Sequence, residues 1–155
     1  KHRSANDLVI LSIHWGGNWG ERVSQEERAF AHAMIDRAGV DLIHGHSAHH
    51  PRGIEIYGKR PILYGCGDLL NDYEGIGGHE EYRSELGLLY FLTFRTADRS
   101  LAKLELVPTL LRRLQLCRPA EADAVWRLNR IRNQSRILGT DLEESGAHVF
   151  RFRAA

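Results

Sequence analysis

Residues 8–13 read Leu8-Val9-Ile10-Leu11-Ser12-Ile13, and residues 40–43 read Val40-Asp41-Leu42-Ile43. The first run is apolar almost throughout instead of alternating, the mark of a parallel strand covered on both faces. Between the two, Ser24 stands three residues before Glu27, the spacing of a helix capping box. Ala29, Phe30, Ala33, Met34 and Ala38 then recur with helical periodicity, and Gly39 suits a C-terminal stop. Strand, helix and second strand within about 35 residues predict a right-handed βαβ unit with parallel strands.

Downstream, residues 54–57 and 61–64 predict two short strands joined by the turn Gly58-Lys59-Arg60. Residues 86–94 and 101–107 predict a second antiparallel pair across 96–100, and 110–116 a further strand. Residues 121–137 predict an amphipathic helix that buries Ala124, Leu128, Ile131 and Ile137, and 149–152 a terminal strand. The expected class is α/β: one βαβ unit, then a mostly antiparallel meander and a helix.

At 155 residues the chain is long enough for one domain with a proper core. Its 43% hydrophobic and 26% charged residues are the composition of a soluble globular protein. A net charge of +1 gives the whole chain no pull on a polyanion. Arg112, Arg113, Arg118, Arg127, Arg130, Arg132, Arg136, Arg151 and Arg153 crowd the last third and read as a solvated face. Without aromatic interleaving or a binding motif, no nucleic acid partner is expected. Cys66 and Cys117 cannot make a disulfide framework. No run of about 20 apolar residues and no signal-peptide pattern occurs. The sequence opens at Lys1 and enters its first strand by Leu8, so a further upstream segment is expected.

Chemistry concentrates where the parallel strands end. The first leads into His14-Trp15-Gly16-Gly17-Asn18-Trp19 and the second into His44-Gly45-His46-Ser47-Ala48-His49-His50-Pro51. A third segment, Tyr64-Gly65-Cys66-Gly67-Asp68, follows another apolar strand. Ligands of open α/β sheets sit beyond the carboxyl ends of the strands, so these loops should open on one edge. Imidazole is the usual neutral ligand of a borderline transition metal, which makes His14, His46 and His49 the candidate metal ligands. His14, His46 and Asp68 are the candidate catalytic groups. Trp15, Gly16, Asn18, His50, Glu55 and Gly67 are candidates for contacting substrate or orienting ligands, Glu55 by holding a histidine from behind. His44 is expected to face away from His46 as a hydrogen-bonded structural residue. His2, His32, His79 and His148 are expected to be inert, Trp15 and Trp19 to be pocket walls or core, and Asp72 and Glu74 to be loop or cap residues.

His14-Trp15-Gly16, Gly45-His46 with His49 and Glu55, and Tyr64-Gly65-Cys66-Gly67-Asp68 together resemble the C-terminal half of CapA-type proteins. These are bacterial capsule and poly-gamma-glutamate synthesis proteins, similar in fold to calcineurin-like metallophosphoesterases. The resemblance covers roughly residues 7 to 116. It implies the C-terminal half of a metallophosphatase-like α/β/β/α sandwich over 1–118, with 119–155 a helix and strand extension. It also implies two divalent metal ions (Mn, Fe or Zn) and an anionic polymer or phosphoester substrate. A polymer-synthesis complex and the outward face of the cell envelope follow by the same route, with the fragment itself soluble. The missing N-terminal half would supply the early Gly-Asp and Asn-bearing motifs of the pattern.

The chain departs from that pattern in three places. Gly17-Asn18 stands where an acidic residue follows Trp-Gly, leaving Glu21 as the nearest carboxylate. Ser47 and Ala48 replace the second histidine and the proline of Gly-His-His-Pro-His, and Gly67-Asp68 replaces Gly-Asn. The implied activity of the intact protein is metal-dependent hydrolysis or transfer, with a non-catalytic envelope scaffold as the rival.

Overall fold

A computed structural model describes residues 4, 7–71, 77–145 and 149–153. His2, His148, Asp72 and Glu74 lie outside the described residues. Among the described residues the fold is mixed α/β, with two sheets and two α-helices.

The first sheet contains β1 (Ile10–His14), β2 (Leu42–His46), β4 (Arg60–Leu63) and β3 (Ile54–Tyr57), in that spatial order. β1, β2 and β4 run parallel, while β3 folds back antiparallel on β4. The crossover from β1 to β2 is α1 (Gln25–Ala38). Ser24 Oγ accepts from the Glu27 amide and the Glu27 carboxylate accepts from the Ser24 amide, so the capping box forms as read. Gly39 closes the helix in the left-handed region at φ 69°. The stripe α1 turns toward the sheet is Ala31, Met34 and Ile35, against Leu11, Ile13, Ile43 and Ile62.

The second sheet orders β5 (Leu86–Phe94), β6 (Leu101–Arg112), β9 (Phe150–Arg153) and β8 (Glu143–Glu144), with β7 (Gln115–Cys117) also paired to β6. The stretch predicted as a strand at 110–116 divides: 110–112 continue β6 through Pro108, and after a turn at 113–114 residues 115–116 begin β7. Pairing with β9 ends at Leu106 and pairing with β7 begins at Leu110. Pro108, which has no amide hydrogen, thus falls in the gap between those two ladders.

One apolar cluster fills the space between the sheets. Leu42, Ile54 and Leu63 come from the first sheet, Leu88, Leu104, Leu106 and Phe150 from the second, and Leu128 and Ile131 from α2 (Glu121–Ile137). α2 packs against β3, β5 and β6, tying both sheets together. Its buried face is Ala124, Arg127, Leu128, Ile131, Gln134 and Ser135. Ile137, expected to be buried, is 83% exposed. The last turn of α2 still lies on β3 through Ser135, whose Oγ accepts from Ile54 N at 3.0 Å, and Ile137, two residues on, is rotated off that buried face. Among the described residues no helix is long and apolar enough to cross a membrane.

Arg127 corrects the reading of the C-terminal arginines as a solvated face. Its side chain is buried, and Nη2 donates to the carbonyls of Tyr82 (2.7 Å) and Arg83 (2.8 Å) at the end of a single 3₁₀ turn, Glu80–Tyr82. Burial pushes its guanidinium down to about 10.

Candidate metal centre at the strand ends

Because β1, β2 and β4 are parallel neighbours, their C-terminal ends lie on one edge, as the sequence suggests. The loops are stitched together by backbone hydrogen bonds. Trp15 N donates to His46 O (3.1 Å), Cys66 N to Gly45 O (3.0 Å), and His49 N to Asn18 O (3.0 Å). Gly45 sits at the crossing point. A Cβ there would lie 2.6 Å from Tyr64 O and 2.7 Å from Leu63 O, so only glycine lets β2 and β4 approach so closely.

His14 and His46 occupy paired positions on β1 and β2, and their rings meet edge-on at 5.3 Å. His44 does not turn away: its ring lies 5.8 Å from that of His46. Residues two apart in a strand share a face, so the expectation of opposite faces was an error of period. Ser12, His14, His44 and His46 therefore line one face of the sheet. His44 Nδ1 lies 3.1 Å from Ser12 Oγ. Burial, and then the neighbouring His46, hold His44 below its ordinary 6.5, which favours the neutral imidazole a metal requires.

His49 is held differently. Its Nδ1 lies 2.9 Å from Asp68 Oδ2, which also accepts from Asn71 Nδ2 at 3.0 Å. A carboxylate only accepts, so Nδ1 carries the proton and the ring's lone pair sits on Nε2. This is the carboxylate–histidine arrangement that orients metal-ligating imidazoles. The strand-end motif of β4 thus reaches the β2 loop through Asp68. Gly67 lies at φ 71°, where a Cβ would run into Pro51.

Asn18 and Ser47 face each other, with Ser47 Oγ donating to Asn18 Oδ1 at 3.2 Å. Ser47 has φ 119°, a conformation that glycine adopts far more readily. This strained residue sits between His46 and His49 and turns the chain from one to the other. Gly16, at φ 71°, lies over the buried Arg52, whose Nη1 donates to Glu27 at 2.7 Å. Arg52 escapes the sequence reading; it braces the β1 loop against the start of α1.

The aromatic residues divide. Trp15 is on the α1 side, stacked on Tyr64 at 5.5 Å, with Nε1 donating to Tyr64 O (2.9 Å). Trp19 is the hub of a ring cluster: His79 at 4.1 Å, His49 at 5.3 Å, Tyr82 at 5.6 Å and His50 at 6.1 Å. His79, expected to be an exposed bystander, is half-buried in that stack. His50 is 1% exposed, donates from Nδ1 to Pro51 O, and leaves Nε2 without a partner. Burial pushes it down to about 4.

Glu55 holds a histidine, but it is His32 of α1 at 3.0 Å, with Arg28 at 2.6 Å and the Tyr64 hydroxyl at 2.7 Å. Burial raises its carboxyl, yet these three donors outweigh that and keep it below 4.5. It supports the scaffold under Trp15 instead of a strand-end imidazole. Cys66 is likewise no nucleophile, because burial pushes its thiol up to about 12.

Among the described residues no three His, Cys, Asp or Glu side chains stand close enough to hold one ion. What this chain assembles is the His14–His46 imidazole pair beside an oriented His49–Asp68 pair. That donor chemistry suits a borderline metal but is short of the three protein ligands of a catalytic ion.

The family model described as "Bacterial capsule synthesis protein PGA_cap" matches residues 1–73, which contain all of these groups. A "Probable polyglutamine synthesis accessory protein" of Mycobacterium tuberculosis (strain ATCC 25618 / H37Rv) is 51% identical over 133 residues, 86% of this chain and 35% of that protein. The "Capsule biosynthesis protein CapA" of Bacillus anthracis is 36% identical over 66 residues, 43% of this chain and 16% of that protein. The "PGA biosynthesis protein CapA" of Bacillus subtilis (strain 168) has the same identity, over 43% of this chain and 17% of its own. The chain thus spans about a third of the length of its mycobacterial relative. Through residues 1–73 and the histidine-bearing edge they form, it belongs to the PGA_cap family of bacterial capsule synthesis proteins.

Proposed function

We propose that this chain is the histidine-bearing part of a metal-dependent centre in a protein that serves synthesis of a capsular glutamate or glutamine polymer. The observation that carries the reading is the His14–His46 pair at register-matched strand ends, with an Asp-oriented His49 on the adjoining loop. The names of the relatives supply the polymer, and a soluble domain on the outer face of the envelope fits that role.

His14 and His46 would hold a divalent ion (Mn, Fe or Zn), with His49 toward the same edge. A second ion and the remaining ligands would come from the part of the domain that the longer relatives carry outside the match. A bound pair of ions would polarise a phosphoester or amide-type centre and lower the pKa of a coordinated water. The chain's own residues have narrower tasks. Burial keeps His44 neutral behind His46, Asp68 fixes the proton of His49 on Nδ1, and Asn18 with Ser47 holds the two loops in register.

A non-catalytic scaffold is the second reading. It draws on Ser47 and Ala48 in place of His and Pro, and on the lack of a three-ligand group among the described residues. Metal analysis separates the two. A full-length protein that retains stoichiometric metal, loses it in His46→Ala and then makes no polymer supports the enzyme. Unimpaired polymer production by a metal-free His46→Ala protein supports the scaffold.

A further inference from the structure

Each sheet ends on a strand with one side unpaired, and the two open edges meet at one cavity. Among the described residues β1 pairs only with β2, and β5 only with β6. Trp15 N donates to His46 O and Leu42 N to Val9 O, so the odd-numbered residues of β1 turn their peptide groups toward β2. Those of Ile10 and Ser12 therefore point away from β2, with no strand to meet them. In β5 the bond from Leu111 N to Glu85 O sets the same alternation, which leaves the peptide groups of Leu88 and Leu92 pointing away from β6. Between these edges lies a cavity of about 450 Å³, walled by Ile10, Leu42 and Leu63 of the first sheet and by Leu88, Leu89 and Leu92 of β5. Leu88 and Leu89 stand on opposite faces of β5, so the cavity runs over that strand's open edge.

We propose that the two edges and the cavity between them are a docking surface for an apolar, strand-forming segment of the same polypeptide, which pairs with β1 and fills the cavity as far as β5. Proteins blunt a free edge with charge, proline or a bulge. Neither β1 nor residues 86–92 of β5 contain Lys, Arg, Asp, Glu or Pro, and both keep an unbroken register. The strand is also apolar on both faces. Leu11 and Ile13 pack under α1, while Ile10 on the other face is 56% exposed, and Leu8 ahead of it 41%. A parallel strand of that pattern is one the folded protein covers on both sides. The match takes in 35% of the mycobacterial relative, which leaves chain enough for such a segment. A second copy fits less well: two-fold symmetry would lay its β1 antiparallel on this one, extending the first sheet and leaving β5 unpaired. The inference stands apart from the metal reading, since it concerns what covers the edge and not what the histidines hold.

The test is hydrogen exchange of the full-length protein, read at single amides by mass spectrometry, together with its mass in solution. The outward amides of Ile10, Ser12, Leu88 and Leu92 should exchange within about tenfold of the inward amides of Leu11, Ile13, Leu89 and Phe91, whereas at an open edge they run at least about a hundredfold faster. Ile10→Lys, near neutral on an open edge, should lower Tm by about 4 °C or more. Fast outward exchange at either strand, or an unchanged Tm in Ile10→Lys, overturns the inference. So does outward protection that vanishes when a dimer is diluted to monomer, which assigns the edge to a second copy. Where Ile10→Lys does not fold, the wild-type exchange pattern decides alone. Protected edges in a protein without metal would contradict the proposed function and leave this inference standing; stoichiometric metal beside an open edge would do the reverse.

Discussion

Gly45→Ala should be the most damaging single-methyl change in the molecule. Gly45 lies in β2 between His44 and His46, where β4 passes closest. An added Cβ would meet the Trp15 indole nitrogen as well as two main-chain oxygens, Tyr64 O at 2.6 Å and Leu63 O at 2.7 Å. Backbone oxygens cannot swing aside as a flexible side chain would, so the strands must part. Overpacking of this kind costs about 1–3 kcal/mol. Parting the strands also strains the Trp15 Nε1 to Tyr64 O bond and leaves a half-buried donor unpaired, for about 1–3 kcal/mol more. The expected loss is about 3–4 kcal/mol, a large part of a typical domain's stability. Urea unfolding followed by tryptophan fluorescence reads it directly, with Gly77→Ala as the control because a Cβ there meets nothing within 4 Å and the backbone is not in the left-handed region. A loss below about 1 kcal/mol at Gly45 would refute the close strand approach on which the histidine edge is built.

Two further outcomes follow from strain and from titration. Ser47→Gly should stabilise the fold by up to about 1 kcal/mol in thermal or chemical unfolding, since φ 119° is strained for serine and open to glycine, partly offset by glycine's entropy. The same variant should weaken metal retention, because the Asn18–Ser47 bond is lost; loss of stability would show that the turn is unstrained. His50 is buried neutral, with its folded value near 4 below the unfolded 6.5, so the unfolded state binds more protons between those values. The stability tied to neutral His50 is complete above pH 6.5, declines as pH falls toward 4 and levels off below. The span amounts to about 3 kcal/mol. His50→Phe keeps a ring between Trp19 and Tyr82 and should flatten that part of the pH–stability curve; an unchanged slope would show that His50 does not titrate there.

Much of the architecture was legible because it rests on local rules. The Ser24–Glu27 box and Gly39 gave both ends of α1, the apolar runs placed β1 and β2 one to three residues early, and the parallel pairing placed three loops on one edge. What escaped depended on contacts distant in sequence. Nothing local marks Arg52 as the brace beneath Gly16 and Gly65, or His79 as a stacking partner of Trp19 some sixty residues earlier. Other signals were present but missed. Arg127 falls on the 124, 128, 131 stripe of α2 and should have been placed inside. His44 and His46, two apart, should have been placed on one face. The break expected between 107 and 110 is absent because Pro108 falls in the gap between the ladders of β7 and β9, which cannot be seen from the sequence.

The central claim is that imidazoles from two neighbouring strand ends grip one ion. Its most direct measurement is metal content by elemental analysis after dialysis of the full-length protein, beside His14→Ala, His46→Ala and the distant His32→Ala. The account predicts stoichiometric Mn, Fe or Zn in wild type and His32→Ala, and its loss in each strand-end variant. Metal retained unchanged in both His14→Ala and His46→Ala, or none in the wild-type protein, would contradict it.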